Sequence, residues 1–462
     1  MGESRLNVSR PWACAIAAIA VSAGLAALPG SAGESGDQPT VSPDRLDDAT
    51  IAAGDPFVAA DNFAWRAFIA LNWPSKLGDA ERGVPNRSKS LGDVGKRVWE
   101  TFKSDYELFE VDANNHPASP APWASYDGRN PCGADVDNRG KTVAAFAPFA
   151  DFNQPSFAPG EPGNPLVAQN GAYTRYEIRF NDPEFSTIAA NGWRPGQNLP
   201  DASHAARFPI GSIAVKAAWR PLTAADPPAM RARYYVESAE IVDVAKTLAA
   251  GRLVCSTSDV ALVGLHIVIK TKGRPQRIWS TFEHVDNVPP VGAGEAREPD
   301  AKDAGAPYSY FDPSRQNRLW PPFGSTKALP VSWSNPPEIS PRPMQVVRRY
   351  PVHPSTMAMN RAYWALPGVK GTVWERYMLV AAQWPTSAGA YGPDNDGAYF
   401  PGRTEAPNEP TDYRSTAKAQ ENLINTAMET YFQDSPSSCM ACHHAVSNAH
   451  GGDFVGVLAG SR

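Results

Sequence analysis

Forty-five prolines are spread through the 462 residues, about twice the usual share of roughly 5%. A proline inside a helix removes a hydrogen-bond donor and clashes with the preceding turn, so a chain cut this often builds few long helices. Short strands joined by Gly/Pro loops remain open to it. From about residue 143 to 385 the apolar pattern reads that way, over Tyr173–Phe180, Ser212–Trp219, Ala232–Val242, Val260–Lys270, Arg277–Val285 and Val373–Trp384. The expected fold class is α+β: a β-rich body of antiparallel strands with long Pro/Gly loops, then a C-terminal helical segment. Hydrophobic residues at 42% and charged residues at 20% suit a globular body rather than a multi-span membrane protein.

Val260–Lys270 and Arg277–Val285 flank Thr271-Lys272-Gly273-Arg274-Pro275-Gln276, which predicts an antiparallel hairpin. With the turn centred near Arg274, His266 faces Phe282 and His284 stands diagonally from His266 on the same face, because side chains alternate with period two. Asp61 is expected to cap a helix running to Trp73, with Phe63, Ala64, Phe68 and Leu71 near helical spacing and Pro74 as its stop. Another helix is expected from Thr416 to Gln433, with Leu423, Ile424, Ala427, Met428, Tyr431 and Phe432 on one face and Pro436 beyond its end. Two irregular stretches, 287–342 and 385–414, have the length of cofactor-wrapping loops or of surface decoration.

At the N-terminus, Arg5 and Arg10 precede an apolar run from Trp12 to Leu28 and the small residues Gly30-Ser31-Ala32. This is the layout of a secretory signal, with cleavage expected after Ala32; an uncleaved anchor is the alternative reading of the same run. Either way the body is exported, and the expected location is the periplasm. The expected organisation is 1–32 signal peptide, 33–56 flexible lead-in, 57–414 β-rich body and 415–462 C-terminal helix and attachment segment. Loss of Glu3, Arg5 and Arg10 with the signal leaves 41 basic and 47 acidic residues, a balance of −6. No basic stripe points to nucleic acid, and no membrane span is expected in the mature chain.

The five cysteines divide by position into Cys14 in the signal, the close pair Cys439 and Cys442, and Cys132 with Cys255. In an oxidising compartment Cys132 and Cys255 are expected to form a disulfide. Two unpaired structural thiols are the alternative, since sequence does not give their Cα separation.

Cys439-Met440-Ala441-Cys442-His443 is the C-x-x-C-H arrangement of c-type haem attachment. Two intervening residues let both sulfurs reach neighbouring vinyl groups of one porphyrin, and the next residue presents its imidazole to the iron from the same side. Cys439, Cys442 and His443 are therefore the candidate haem c site, one covalently bound haem with His443 as the metal ligand. A thioredoxin-type pair belongs early in a βαβ unit, whereas 19 residues follow His443. A structural zinc site wants four ligands, and no second close cysteine pair exists.

Through this motif and the signal, the chain resembles the c-type cytochromes. The stretches Phe282-Glu283-His284-Val285-Asp286-Asn287 and Leu71-Asn72-Trp73-Pro74 are also similar to a larger group of bacterial cytochrome c family proteins with this layout. The resemblance implies haem attachment outside the cytoplasmic membrane, and electron transfer with a redox partner protein. It departs from the small soluble cytochromes, which place the motif near the start of their domain and take a sixth ligand, usually Met, from tens of residues later. No Met follows His443.

The sixth position is then filled from upstream, by water, or left open. His444 and His450 stand too near the attachment point and are expected as surface or propionate neighbours. His266 and His284, and Met357 and Met359 after His353, are the upstream candidates, each with a plain reading as a core residue. A closed iron serves electron transfer; an open one permits peroxide, O₂ or small-ligand chemistry. The expected function is thus a mono-haem electron-transfer cytochrome. The alternatives are a peroxidase-like or oxygenase-like enzyme, with Glu283 and His284 beside His266 handling protons, and a haem-based small-ligand sensor. No Ser-His-Asp order, phosphate loop, zincin motif or dinucleotide fingerprint is evident.

Overall fold

The computed structural model describes residues 38–45, 56–78, 81–110, 116–129, 135–137, 149–155, 162–194, 208–274, 277–289, 307–315, 330–383, 423–433, 439 and 443. All belong to one unit, Gly36–Arg462. The elements run α1 (Pro56–Leu71), β1 (Lys103–Ser104), α2 (Asp105–Leu108), β2 (Asp127–Arg129), β3 (Asp135–Asp137), β4 (Asn153–Pro155), β5 (Pro162–Pro165), β6 (Arg175–Phe180), α3 (Asp182–Asn191), β7 (Ile213–Pro221), α4 (Pro228–Arg231), β8 (Val236–Val242), α5 (Val244–Ala250), β9 (Cys255–Ile269), β10 (Ile278–His284), α6 (Pro354–Trp364) and β11 (Tyr377–Gln383).

Seven strands form an antiparallel sheet, six of them in the order β1-β6-β7-β9-β10-β11 with β8 paired to β9 beside that path. β9 is long enough to hold two partners on one side, β10 along Gly264–Ile269 and β8 along Cys255–Ala261. β2 with β3 and β4 with β5 make two small separate pairs. The α+β expectation holds, and the strands read from the alternating segments lie where that alternation placed them to within a few residues, apart from Val373–Arg376, which is 3₁₀, and the longer N-terminal half of β9.

One face of the sheet is covered by α1 and α6. Phe63, Trp65 and Phe68 of α1 join Val215, Leu265, Ile267, Phe282 and Leu379 in one core. Phe68 stacks on Phe282 at 4.2 Å and Trp65 on Tyr363 of α6 at 4.9 Å. Trp65 is fully buried because its Nε1 donates to Asn360 Oδ1 at 2.9 Å, which satisfies its polar handle. α6 begins with Pro354 behind His353, whose Nδ1 accepts from the Ser355 amide, so His353 is a helix cap.

α1 starts at Pro56, and Asp61 is not its cap; it is buried inside the helix and its Oδ2 accepts from Thr356 Oγ1 at 2.7 Å. The opposite sheet face packs against Met344, Val346, Ala427 and Met428. Segment 423–433, expected to be helical, instead runs in turns with a short 3₁₀ stretch at Thr430–Phe432. Its amide hydrogens are claimed from outside: Thr426 N–H by Glu283 and Thr430 N–H by Gln154 Oε1. An α-helix needs those donors for its own carbonyls.

The β9–β10 hairpin closes one residue differently from the expected register. Ile269 pairs with Ile278, so His266 stands opposite Thr281 and Phe282 opposite Leu265. A slip of one residue turns a side chain to the other face, and His266 and His284 therefore lie on opposite faces. At the start of the returning strand Arg277 takes a positive φ of 75°, and its side chain makes a sealed ion pair to Glu184 of α3 at 2.9 Å.

Cys255 is in a disulfide, whose other half lies outside the described residues; Cys439 is not that half. Cys132, Cys442, His444, His450, the signal 1–32, the loop 385–414 and residues 416–422 of the expected helix all lie outside the described residues. Among the described residues, no helix is long and apolar enough to cross a membrane.

Candidate functional site

Alternation along β10 sends Phe282 into the helix-covered core and Trp279, Thr281 and Glu283 to the other face. All three of these receive the C-terminal segment. Asn425 Nδ2 donates to Thr281 Oγ1 and to Phe282 O, both at 2.9 Å. Glu283 accepts from the Thr426 amide, and from Thr426 Oγ1 at 3.0 Å, while also pairing with Arg348. Burial pushes the Glu283 carboxyl up, against the pull of Arg348. Gly264 in β9 permits this close approach, since a Cβ there would stand 3.2 Å from both Asn425 Oδ1 and Met428 Cε. Gln433 ends the clamp, accepting from the Arg349 amide and donating to Val347 O, each at 3.0 Å.

Beyond the clamp stand Cys439 and His443, both helical and both half-buried. The His443 imidazole lies against the indole of Trp279, ring centroids 4.2 Å apart and planes tilted by 41°. Cys439 is outside any disulfide. The imidazole of the motif thus lies on the sheet face that Trp279 occupies.

Beside Trp279 the same face carries a charged group. Lys216 of β7 pairs with His266 of β9, and Val268 pairs with Trp279. His266 Nε2 is 3.3 Å from Glu429 Oε1, outside hydrogen-bond geometry and closed to solvent. Burial pulls the Glu429 carboxyl up, but His266, Lys216 and the Asn425 amide prevail and hold it below the usual range. Burial pushes the Lys216 ammonium down to about 8, opposed by Glu429.

The other sequence candidates are placed elsewhere. His284 is sealed on the opposite face, its ring stacked on Tyr234 at 3.8 Å. Its Nδ1 accepts from the Asp286 amide and its Nε2 meets Arg233 O, both at 3.1 Å, and burial pushes its pKa down to about 4. Both nitrogens are thus used by backbone, and His284 is a satisfied core residue. The expected grouping of Glu283 and His284 beside His266 does not form: Glu283 shares the face of His266 but is closed in by Arg348 and Thr426. Met359 sits in the α1 core, and Met357 packs with Val285, Val352 and Met378 while accepting from Asn360 Nδ2. Trp279, Lys216, Asn425 and Glu429 were not singled out from sequence. Trp279 alone carried a signal, a large aromatic on the strand face opposite Phe282.

Among the described residues, no group of three or more His, Cys, Asp or Glu side chains is arranged to hold a bare metal ion. No protein-family model, no curated protein and no solved structure matches the chain.

Proposed function

We propose that the chain is an exported mono-haem c-type cytochrome, acting in the periplasm as an electron-transfer component for a redox partner protein. Cys439 and Cys442 hold one haem through thioether bonds, and His443 ligates the iron. The observation that carries this reading is the C-x-x-C-H spacing at Cys439–His443, with the His443 imidazole seated on Trp279. A disulfide between Cys255 and Cys132 leaves Cys442 for the porphyrin, in keeping with Cys439 being outside any disulfide.

When bound, the haem supplies one-electron iron chemistry. The chain's own residues do the holding. Trp279 fixes the plane of His443, and Glu283, Arg348 and Asn425 fix the segment that leads into the motif. Electron transfer is favoured over peroxide chemistry because the acid–base trio expected for a peroxidase is split, with His284 sealed away from His266.

The test is expression in a periplasm equipped for haem maturation, followed by a denaturing gel stained for covalent haem and a reduced optical spectrum. One covalent haem per chain with c-type absorption is expected, lost in Cys439→Ser/Cys442→Ser. A wild-type chain that emerges colourless overturns the reading.

A further inference from the structure

We propose that Tyr235 is a redox-active tyrosine, giving one electron to a high-potential metal-centred oxidant and its phenolic proton to Glu237. Tyr235 lies in the helix-covered core, away from the face that receives His443, so this chemistry is independent of the haem reading. The phenol sits between two carboxylates. Its Oη is 2.6 Å from Glu100 Oε2, in the 3₁₀ turn Trp99–Thr101, and hydrogen-bonds Glu237 Oε1 of β8. A phenol has one hydrogen to give, so one of these contacts is closed by a carboxylic acid. Glu100 is buried and Glu237 only partly so. Burial, and then the charge of Glu237, push Glu100 up to about 8, which makes Glu100 the acid and Glu237 the carboxylate that accepts from Tyr235.

A base in this position decides whether a buried phenol can be oxidised, because loss of the electron alone would leave a cation in an apolar core. With Glu237 in place the Tyr235 O–H bond breaks and an O–H bond forms on Glu237. One electron has gone to the oxidant, and a neutral phenoxyl is left that accepts from both carboxylic acids. Aromatic rings lead to it. Trp99 meets Trp219 at 5.9 Å, Trp219 meets Tyr235 at 6.2 Å, Tyr235 stacks on Trp374 at 5.1 Å, and Trp374 meets Tyr377 at 5.4 Å. The hole settles at Tyr235 because these neighbours lack its partners. Trp99 Nε1 donates to Asn72 Oδ1, Trp374 Nε1 to Leu91 O and Tyr377 Oη to Leu262 O, none of them a base. Trp219 Nε1 donates to Glu177 Oε1 at 2.7 Å, but Arg179 already holds that carboxylate at 2.8 Å. The Arg97 guanidinium lies 5.2 Å from the Trp374 ring centroid and 4.8 Å from that of Tyr235. It opposes an indole radical cation and leaves a neutral phenoxyl unpenalised.

The experiment takes the full-length mature protein, with photogenerated tris(bipyridine)ruthenium(III) as the oxidant, and freeze-traps it for electron paramagnetic resonance. A tyrosyl signal is expected, narrowed when ring-deuterated tyrosine is incorporated, lost in Tyr235→Phe and kept in Tyr234→Phe. Glu237→Gln is expected to slow its formation about 100-fold, the lower end of what a positioned base contributes.

A signal unaltered in Tyr235→Phe overturns the inference, as does a tryptophanyl pattern in the wild type or a Glu237→Gln protein that forms the radical at the wild-type rate. Each of these outcomes leaves the haem reading standing. Should Tyr235→Phe fail to fold, the wild-type radical after exchange into D₂O decides the matter. Two exchangeable protons coupled to the phenoxyl oxygen are expected from Glu100 and Glu237, and fewer than two overturn the assignment to Tyr235.

Discussion

The indole of Trp279 and the imidazole of His443 lie with ring centroids 4.2 Å apart, a contact between the sheet and the segment bearing the C-x-x-C-H motif. Tilted aromatic pairs at this range contribute about 0.5–1.5 kcal/mol beyond the area they bury. Trp279 is itself buried, so its removal also leaves a cavity. Trp279→Ala is expected to lower unfolding stability by about 3–5 kcal/mol, while Trp279→Phe, which keeps a ring under His443, loses less than half of that. Urea titrations of both variants check this; equal losses would mean that the ring contact contributes nothing.

The clamp of Glu283 onto Arg348 and Thr426 makes a second prediction. Arg348 and Glu283 are both sealed, and removing one member of such a pair costs about 3–5 kcal/mol because the other charge is left buried alone. Glu283→Ala is expected to be destabilised by that amount, and Glu283→Leu/Arg348→Met by much less. The loss is also expected to be local. Hydrogen exchange at the amides of Thr426 and Thr430 should accelerate more than at β7, and uniform acceleration would show that the pair serves the whole sheet.

Local signals were legible in the sequence and long-range ones were not. The C-x-x-C-H spacing needs only five consecutive residues, and strand alternation in β7, β9 and β10 needs fewer than ten, so both could be read directly. The helix expected at Thr416–Gln433 had the right apolar spacing, but Glu283 and Gln154 take its amide hydrogens from 143 and 276 residues away. No local pattern records that competition. The pairing of His266 with Thr281 rather than Phe282 shifts the hairpin by one residue, beside an Arg277 at positive φ that pairs with Glu184, 93 residues distant. One residue of register was enough to separate His266 from His284.

On the helix-covered side, Tyr235 Oη stands 2.6 Å from Glu100 Oε2 and also hydrogen-bonds Glu237 Oε1. A phenol has one hydrogen and ionised carboxylates only accept, so one of these two contacts needs a proton from a carboxylic acid. Burial, and then the charge of Glu237, push Glu100 up to about 8, against Lys96, Tyr235 and the Arg97 amide. Unfolded, the same group titrates near 4.5. Between these values the native protein holds a proton that the unfolded chain releases, so the stabilisation is full below about 4.5 and is lost as pH rises towards 8. The expected slope for one proton is about −1.4 kcal/mol per pH unit. Glu100→Gln keeps the shape, has no proton to lose, and is expected to flatten that decline in urea unfolding at pH 5, 6.5 and 8; parallel curves for wild type and variant would mean that the shared proton is not at this site.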